Sequence, residues 1–128
     1  MLDAGTITLA IVDYIPQHQN ITIVTNSILH AFALTERHLK TILLEGILKE
    51  NTKAIIGETA ISQLRNLNFN KAFLGINGIG IAKGYTTPDL QEAAIKRKAL
   101  KKSQQTFVKV ASIDEANLII ESKKNNNS

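Results

Sequence analysis

Two hydrophobic rhythms take turns along this chain. Ile21-Thr22-Ile23-Val24, Lys40 to Leu44, Ala72-Phe73-Leu74, Thr106 to Val110 and Asn117 to Ile120 are short β-branched or continuously apolar runs bounded by polar residues, the pattern of buried strands. Between them, apolar residues recur at helical spacing: Leu9, Val12 and Ile15 within Thr6 to Ile15, a second helix over about Ile28 to Thr35, and Ile61, Leu64 and Leu67 within Glu58 to Leu67. A longer helix runs from about Asp89, with Leu90, Ala93, Ala94 and Ala99 as its apolar positions. Pro16 ends the first helix, Ser27 is a candidate N-cap for the second, and Pro88 suits the first position of the last. Met1-Leu2 reads as the stump of a strand before a turn at Asp3-Ala4-Gly5-Thr6. Ile47 to Lys53 reads as an irregular loop, Ala54-Ile55-Ile56 as a short strand or turn, and Ser112 to Glu115 as a short helical turn. Alternating strands and helices predict one α/β domain over residues 1–121, with a mostly parallel sheet covered by helices on both faces. Residues 122–128 are expected to be a disordered tail.

Composition narrows the chemistry. At 128 residues and 44% apolar content the chain can bury a core, built from Ile, Leu, Val and Ala because Trp is absent and aromatics are few. The absence of cysteine excludes disulfides and thiolate chemistry. No apolar run approaches the ~20 residues needed to span a bilayer, so no membrane partner is expected and a cytoplasmic location is. The formal charge of +4 lies mainly in Lys96 to Lys102 and Lys123-Lys124, without the interleaved aromatics of a single-strand binder, and reads as a solvated helix face and a tail. His18, His30 and His38 lack metal-ligand spacing; His18 falls in a polar loop, His30 on a helix exterior and His38 in a loop, and neither metal nor cofactor is expected.

The densest chemistry lies between Lys71 and Lys98. Gly75, Gly78, Gly80 and Gly84 follow a strand, then come Thr86-Thr87-Pro88 and a helix start, an arrangement in which backbone N–H groups converge on an anion. Ligands of parallel sheets bind beyond the carboxyl ends of the strands. Asp3 to Thr8, Thr25-Asn26-Ser27 and the loop from Gly75 to Thr87 all follow strands, so a parallel sheet would bring them to one rim. Each has a plainer reading: Thr6 as an N-cap, Thr25-Asn26-Ser27 as a strand-to-helix cap, and Glu92 with Lys96 as an i,i+4 pair that stabilises a helix without any ligand.

Taken in order, Asp3-Ala4-Gly5-Thr6 with Thr8, Val24-Thr25-Asn26-Ser27, Leu43-Leu44-Glu45-Gly46, Phe73-Leu74-Gly75 with Asn77-Gly78-Ile79, and Gly84 to Pro88 followed by Glu92-Ala93 and Lys96-Arg97 resemble the effector-binding domain of DeoR-type bacterial transcription repressors from Leu2 to about Glu121. The resemblance implies a fold similar to ribose-5-phosphate isomerase, glucosamine-6-phosphate deaminase and CoA-transferase-like proteins. It also implies a sensor for a phosphorylated sugar or related metabolite. It places Asp3, Gly5, Thr6 and Thr8 in a first ligand loop and Thr25, Asn26 and Ser27 in a second. Gly75, Asn77, Gly78, Thr86, Thr87, Glu92 and Lys96 fall in a third segment and its helix. The family's winged helix-turn-helix would precede Leu2, so DNA is implied as a partner only through that domain, and a homo-oligomer is implied by paired DNA sites. Asn77 stands where many relatives have Asp, and Ile7 replaces a common threonine. Relatives also carry a strand and an Asp-containing loop before Phe107, as if roughly fifteen residues were missing here by ordinary element lengths. A sugar-phosphate isomerase or deaminase, and a pure oligomerisation module, are the alternatives to a non-enzymatic sensor.

Overall fold

The computed structural model describes residues 1–17, 20–77, 79–80, 84–85, 89–111 and 119–124, with the backbone alone for 76–77, 79–80, 84–85, 109–111 and 119–124. The short β-branched run forms β1 (Thr22–Thr25), which pairs in parallel with β2 (Lys40–Leu43) from Thr22↔Lys40 to Thr25↔Leu43. The central strand is longer than its apolar core, and β5 (Phe69–Asn77) lies parallel to β8 (Ser103–Ala111), with Phe69 opposite Ser103 and Asn77 opposite Ala111. Leu2 joins these two halves by bridging to Thr25 on one side and Phe73 on the other. Its N–H donates to the Val24 carbonyl (2.7 Å), and the next N–H, of Asp3, donates to the Phe73 carbonyl (3.0 Å). The strand stump is thus the middle of the sheet, ordered β2-β1-Leu2-β5-β8-β9.

The last strand, β9 (Ile119–Lys124), runs antiparallel to β8, pairing Val110 with Ile119 and Gln105 with Lys124. Strand pairing therefore continues past Glu121, where the folded part was expected to end. Residues 104–110, which follow the helix without an intervening strand, supply the parallel neighbour of β5 themselves. Between β5 and β8 in the chain, β6 (Ile79–Gly80) and β7 (Gly84–Tyr85) pair antiparallel. Ser112 to Glu115 lies outside the described residues.

Alternation sends successive strand residues to opposite faces, and each face has its own core. Val24, Ala72 and Leu74 point to a cluster with Leu64, Ile95 and Ala99, covered by α3 (Glu58–Arg65) and α4 (Leu90–Lys101). Leu2, Ile23 and Phe73 belong to the other cluster with Val12, Leu34 and Leu39, under α1 (Thr6–Leu9), a 3₁₀ turn (Ala10–Tyr14) and α2 (Ile28–Glu36). This is the α/β fold expected, helices on both faces. Phe73 and Phe107, direct register partners, stack with centroids 5.0 Å apart. Fully burying side chains of this size contributes roughly 1.5–3 kcal/mol each. Among the described residues, no helix is long and apolar enough to cross a membrane.

Three local expectations are corrected. Ile47 to Lys53 is not irregular throughout: Ile47–Leu48 is a strand, β3, that pairs antiparallel with β4 (Ile55–Ile56), the short strand expected at Ala54 to Ile56, and residues 49–53 are the turn of this hairpin. The sequence carries no strand signal for β3, which is two exposed residues long and does not alternate. Gly46, at φ 151°, lets the chain enter it; a Cβ there would lie 2.5 Å from the Ile56 carbonyl oxygen. Leu90 is 80% exposed and takes no part in the helix packing; Ile95, fully buried, is the apolar anchor of α4 instead. His30 lies inside the protein rather than on a helix exterior, at 2% exposure. Also exposed are Ile28, Leu29 and Phe32 of α2 and Ile47 and Leu48 of the hairpin.

Thr106, buried in β8, has a hydroxyl without a hydrogen-bond partner among the described residues. A hydroxyl left unpaired in a core costs about 1–3 kcal/mol, and valine removes it while keeping the shape. Thr106→Val is expected to stabilise the chain by about 1 kcal/mol, seen as a higher urea midpoint with an unchanged slope.

Candidate functional site

Immediately after the Leu2 bridge the chain turns away from the sheet, and Asp3 is left at 1% exposure. A buried carboxylate needs compensating partners. Asp3 Oδ2 accepts from the Gly75 N–H of β5 (3.2 Å) and forms an ion pair with Lys96 Nζ from α4. Burial pushes the Asp3 carboxyl up from its ordinary value, against the opposing pull of the Lys96 ammonium and the Gly75 N–H. Gly5 follows at φ 135° and is the residue from which α1 departs; no side chain caps that helix.

Behind this lies a chain of buried hydrogen bonds. Asn26 Oδ1 accepts from the Ala4 N–H (3.0 Å), and Thr25 Oγ1 accepts from the Ser27 N–H (3.2 Å). Ser27 caps α2, its Oγ accepting from the His30 N–H (3.2 Å). The His30 ring sits between two hydroxyls, Nδ1 at 2.7 Å from Ser27 Oγ and Nε2 at 2.8 Å from Thr8 Oγ1. The Thr8 hydroxyl donates to the Asp3 carbonyl, so its lone pair receives Nε2–H, and Ser27 donates to Nδ1. That pattern suits neutral imidazole. Burial holds the His30 pKa down to about 4, against the upward pull of the Gly5 carbonyl.

The hairpin is fastened across the second loop: Ile55 N–H donates to the Asn26 carbonyl (2.6 Å), and Ile28 N–H to the Lys53 carbonyl (3.2 Å). Between its strands the chain closes a turn with Lys53 N–H on the Lys49 carbonyl (2.9 Å). This placement sets Lys49 against the start of α4, where its Nζ donates to Asp89 Oδ2 and to Glu92 Oε2 (3.0 Å). Asp89 is also the N-cap of α4, accepting from Gln91 N–H (2.8 Å) and Glu92 N–H (3.0 Å). Its hydrogen bond to Lys49 is the main cause that draws the Asp89 carboxyl below its usual value; the bonds to Asp89 and Glu92 raise Lys49.

A cavity of about 310 Å³ opens between these segments. Its walls are Ala4 to Ile7, Gly75, Asp89, Glu92 and Lys96, together with Lys49, Asn51 and Thr52 of the hairpin. Two ammonium groups and two carboxylates therefore face one cavity, beside the open backbone of the first turn.

Known proteins match the same stretch of chain. The family model described as the DeoR C terminal sensor domain matches residues 1–117. The chain belongs to the DeoR C-terminal sensor domain family. The HTH-type transcriptional regulator FruR of Bacillus subtilis (strain 168) is 40% identical over 107 residues, covering 84% of this chain and 43% of that protein. The HTH-type transcriptional regulator GlpR of Haloferax volcanii is 34% identical over 131 residues, covering 92% of this chain and 51% of its own. That aligned length exceeds the 128 residues of the chain, so GlpR carries positions that have no counterpart here. The glycerol-3-phosphate regulon repressor of Haemophilus influenzae is 26% identical over 107 residues, 84% of this chain and 42% of the repressor. The sensor domain thus spans about half the length of these relatives or less.

Of the residues expected to bind ligand in this sensor domain, the structure brings Gly5, Thr6, Gly75, Glu92 and Lys96 to the cavity wall. Asp3, Thr8, Thr25, Asn26 and Ser27 lie beneath or behind it, buried and engaged in internal hydrogen bonds. Gly78, Thr86 and Thr87 lie outside the described residues, and Asn77 is described by its backbone alone. Glu92 and Lys96 do not pair with each other: Glu92 reaches Lys49 and Lys96 reaches Asp3. Lys49, Asn51, Thr52 and Asp89 were not singled out from the sequence. The one available signal was turn chemistry, the Asn51-Thr52 pair and an acid before a helix.

Because Asp3 holds Lys96 and Gly75, truncating it strands a charge and an amide in the interior. Asp3→Ala is expected to lower stability by about 3 kcal/mol, read by urea unfolding, rather than leave the fold intact. The His30 network gives a pH signature. Its folded pKa of about 4 lies below the ordinary 6.5, so the unfolded chain binds more protons between those values. Stability is full above pH 6.5 and falls as pH drops toward 4, by roughly 3 kcal/mol from this group. His30→Gln is expected to flatten that segment of the stability–pH curve, measured by denaturant titrations at pH 7 and pH 4.5.

Proposed function

We propose that this domain senses a phosphorylated sugar bound in the cavity between the hairpin, α1 and α4, and that occupancy sets the DNA affinity of the regulator to which it belongs. The cavity wall carries the reading: one cavity presents ammonium groups and unhindered backbone for a phosphate, and carboxylates and an amide for hydroxyls. One relative is named for glycerol 3-phosphate, a compound with the same two kinds of group. DNA would be contacted through a domain other than this one, in the cytoplasm. The exposed Ile28, Leu29 and Phe32 of α2 support a homo-oligomer in which a second copy covers that face.

A sensor fits this wall better than an isomerase or deaminase. Such an enzyme needs a general base free to take a proton from the substrate carbon. Asp3 is buried and paired with Lys96, and Asp89 and Glu92 are both held by Lys49, so all three carboxylates are already engaged.

Thermal unfolding against sugar phosphates, each compared with its free sugar and with inorganic phosphate, tests the proposal. A ligand at 100 times its dissociation constant adds about 2.7 kcal/mol, a shift of several degrees in a domain this size. Stabilisation by a sugar phosphate beyond that given by its two parts is the expected result. No shift with any phosphorylated sugar would overturn it.

A further inference from the structure

The hairpin is the part of the wall that no strand-end loop of a parallel sheet supplies, and it contributes a cation already committed elsewhere. Lys49 joins Asp89 and Glu92, and all three line the cavity. Resting on the reading of the cavity as an effector site, we propose that Lys49 is its charge-reading residue. An anionic group entering the cavity takes Lys49 away from Asp89 and Glu92, and the carboxylates then receive hydroxyl donors from the same ligand.

Charge and geometry carry this. Lys96 is committed to Asp3, which is buried to 1% exposure and has no other cation beside it among the described residues, so moving Lys96 would leave a carboxylate stranded in the interior. Lys49 is the cheaper cation to recruit: its side chain is 20% exposed, and its partners Asp89 and Glu92 are 21% and 16% exposed, within reach of water or a ligand. A phosphate beside Lys49 would also stand next to two carboxylates, and like charges this close oppose one another. The three groups therefore cannot all keep their present arrangement once a dianion arrives. Exchange resolves the conflict if the ligand brings donors for both Asp89 and Glu92, which the separate alcohol groups of a polyol phosphate do and the P–OH of inorganic phosphate, set on the charged group itself, does not. The ligand class that fits is a phosphate ester bearing neighbouring free hydroxyls. Exchange also links occupancy to the fold, because Lys49 anchors the hairpin and Asp89 caps α4.

The test is a double-mutant cycle on the full chain, with binding of inorganic phosphate and of glycerol 3-phosphate or another stabilising sugar phosphate measured by calorimetry. Unfolding midpoints without ligand establish that each variant is folded. Lys49→Met is expected to weaken both probes about tenfold, the loss of one charge-assisted contact, and Lys49→Arg to retain most binding. Glu92→Gln removes one of the two carboxylates that hold Lys49, leaving Asp89, and is expected to tighten inorganic phosphate about threefold, the scale of a partly exposed ion pair, while weakening the sugar phosphate. In the double variant the gain for inorganic phosphate disappears.

Inorganic phosphate binding that is unchanged or weaker in Glu92→Gln would overturn the exchange, as would its absence from both wild type and Glu92→Gln. Sugar-phosphate binding that survives Lys49→Met intact would overturn the role of Lys49 and leave the sensor reading standing. An intact phosphate response with no sugar phosphate bound would uphold Lys49 as the residue that meets the anion and sink the sensor reading instead.

Discussion

A carboxylate cannot be taken out of water without something to replace the water, and Asp3 is the place where this protein meets that constraint. Its compensation comes from β5, through the Gly75 N–H, and from α4, through Lys96. Because Asp3 directly follows the Leu2 bridge, one residue pair ties the centre of the sheet, the first loop and the long helix into a single arrangement. The cavity wall inherits its shape from that tie. Gly75 and Lys96 face the cavity because Asp3 holds both from behind.

The second layer, Thr8, Thr25, Asn26, Ser27 and His30, works on the same logic without charge. Each polar group is buried, and each is placed where another buried group can satisfy it. Such a layer fixes the loops that border the cavity more tightly than apolar packing would, since any displacement leaves a donor or acceptor unpaired. A rigid floor then meets a wall of a different kind: the hairpin and the start of α4, joined by partly exposed ion pairs. The contrast in burial between the Lys96 pair and the Lys49 pairs divides the site into a scaffold and a responsive edge.

Much of this was legible from residue order. β-branched runs and helical spacings located β1, β2, α2, α3 and α4 closely, because both periods report burial directly. Ser27 as a cap and Met1-Leu2 as a strand stump followed from local chemistry alone. Ile55-Ile56 was legible as a short strand, but its pairing into a hairpin with β3 was not, since strands of two residues each owe their existence to bonds made with the second loop. His30 was misplaced for a related reason. Its position on α2 carries no periodic signal of burial, and only the approach of α1 encloses it between two hydroxyls.

What the sequence by itself determined is the alternation that makes an α/β sheet, the family to which the chain belongs, and the glycine and hydroxyl character of the loops at one rim. Those follow from short-range spacing, which the linear order contains in full. Only the tertiary structure decided which polar residues face the cavity and which are buried behind it, and which acid pairs with which base. The i,i+4 spacing of Glu92 and Lys96 describes a pair that does not form, because Asp3 and Lys49 arrive from 93 and 43 residues away and offer each a better partner. Electrostatic pairing is settled by distance in space, and that distance is a property of the packed sheet.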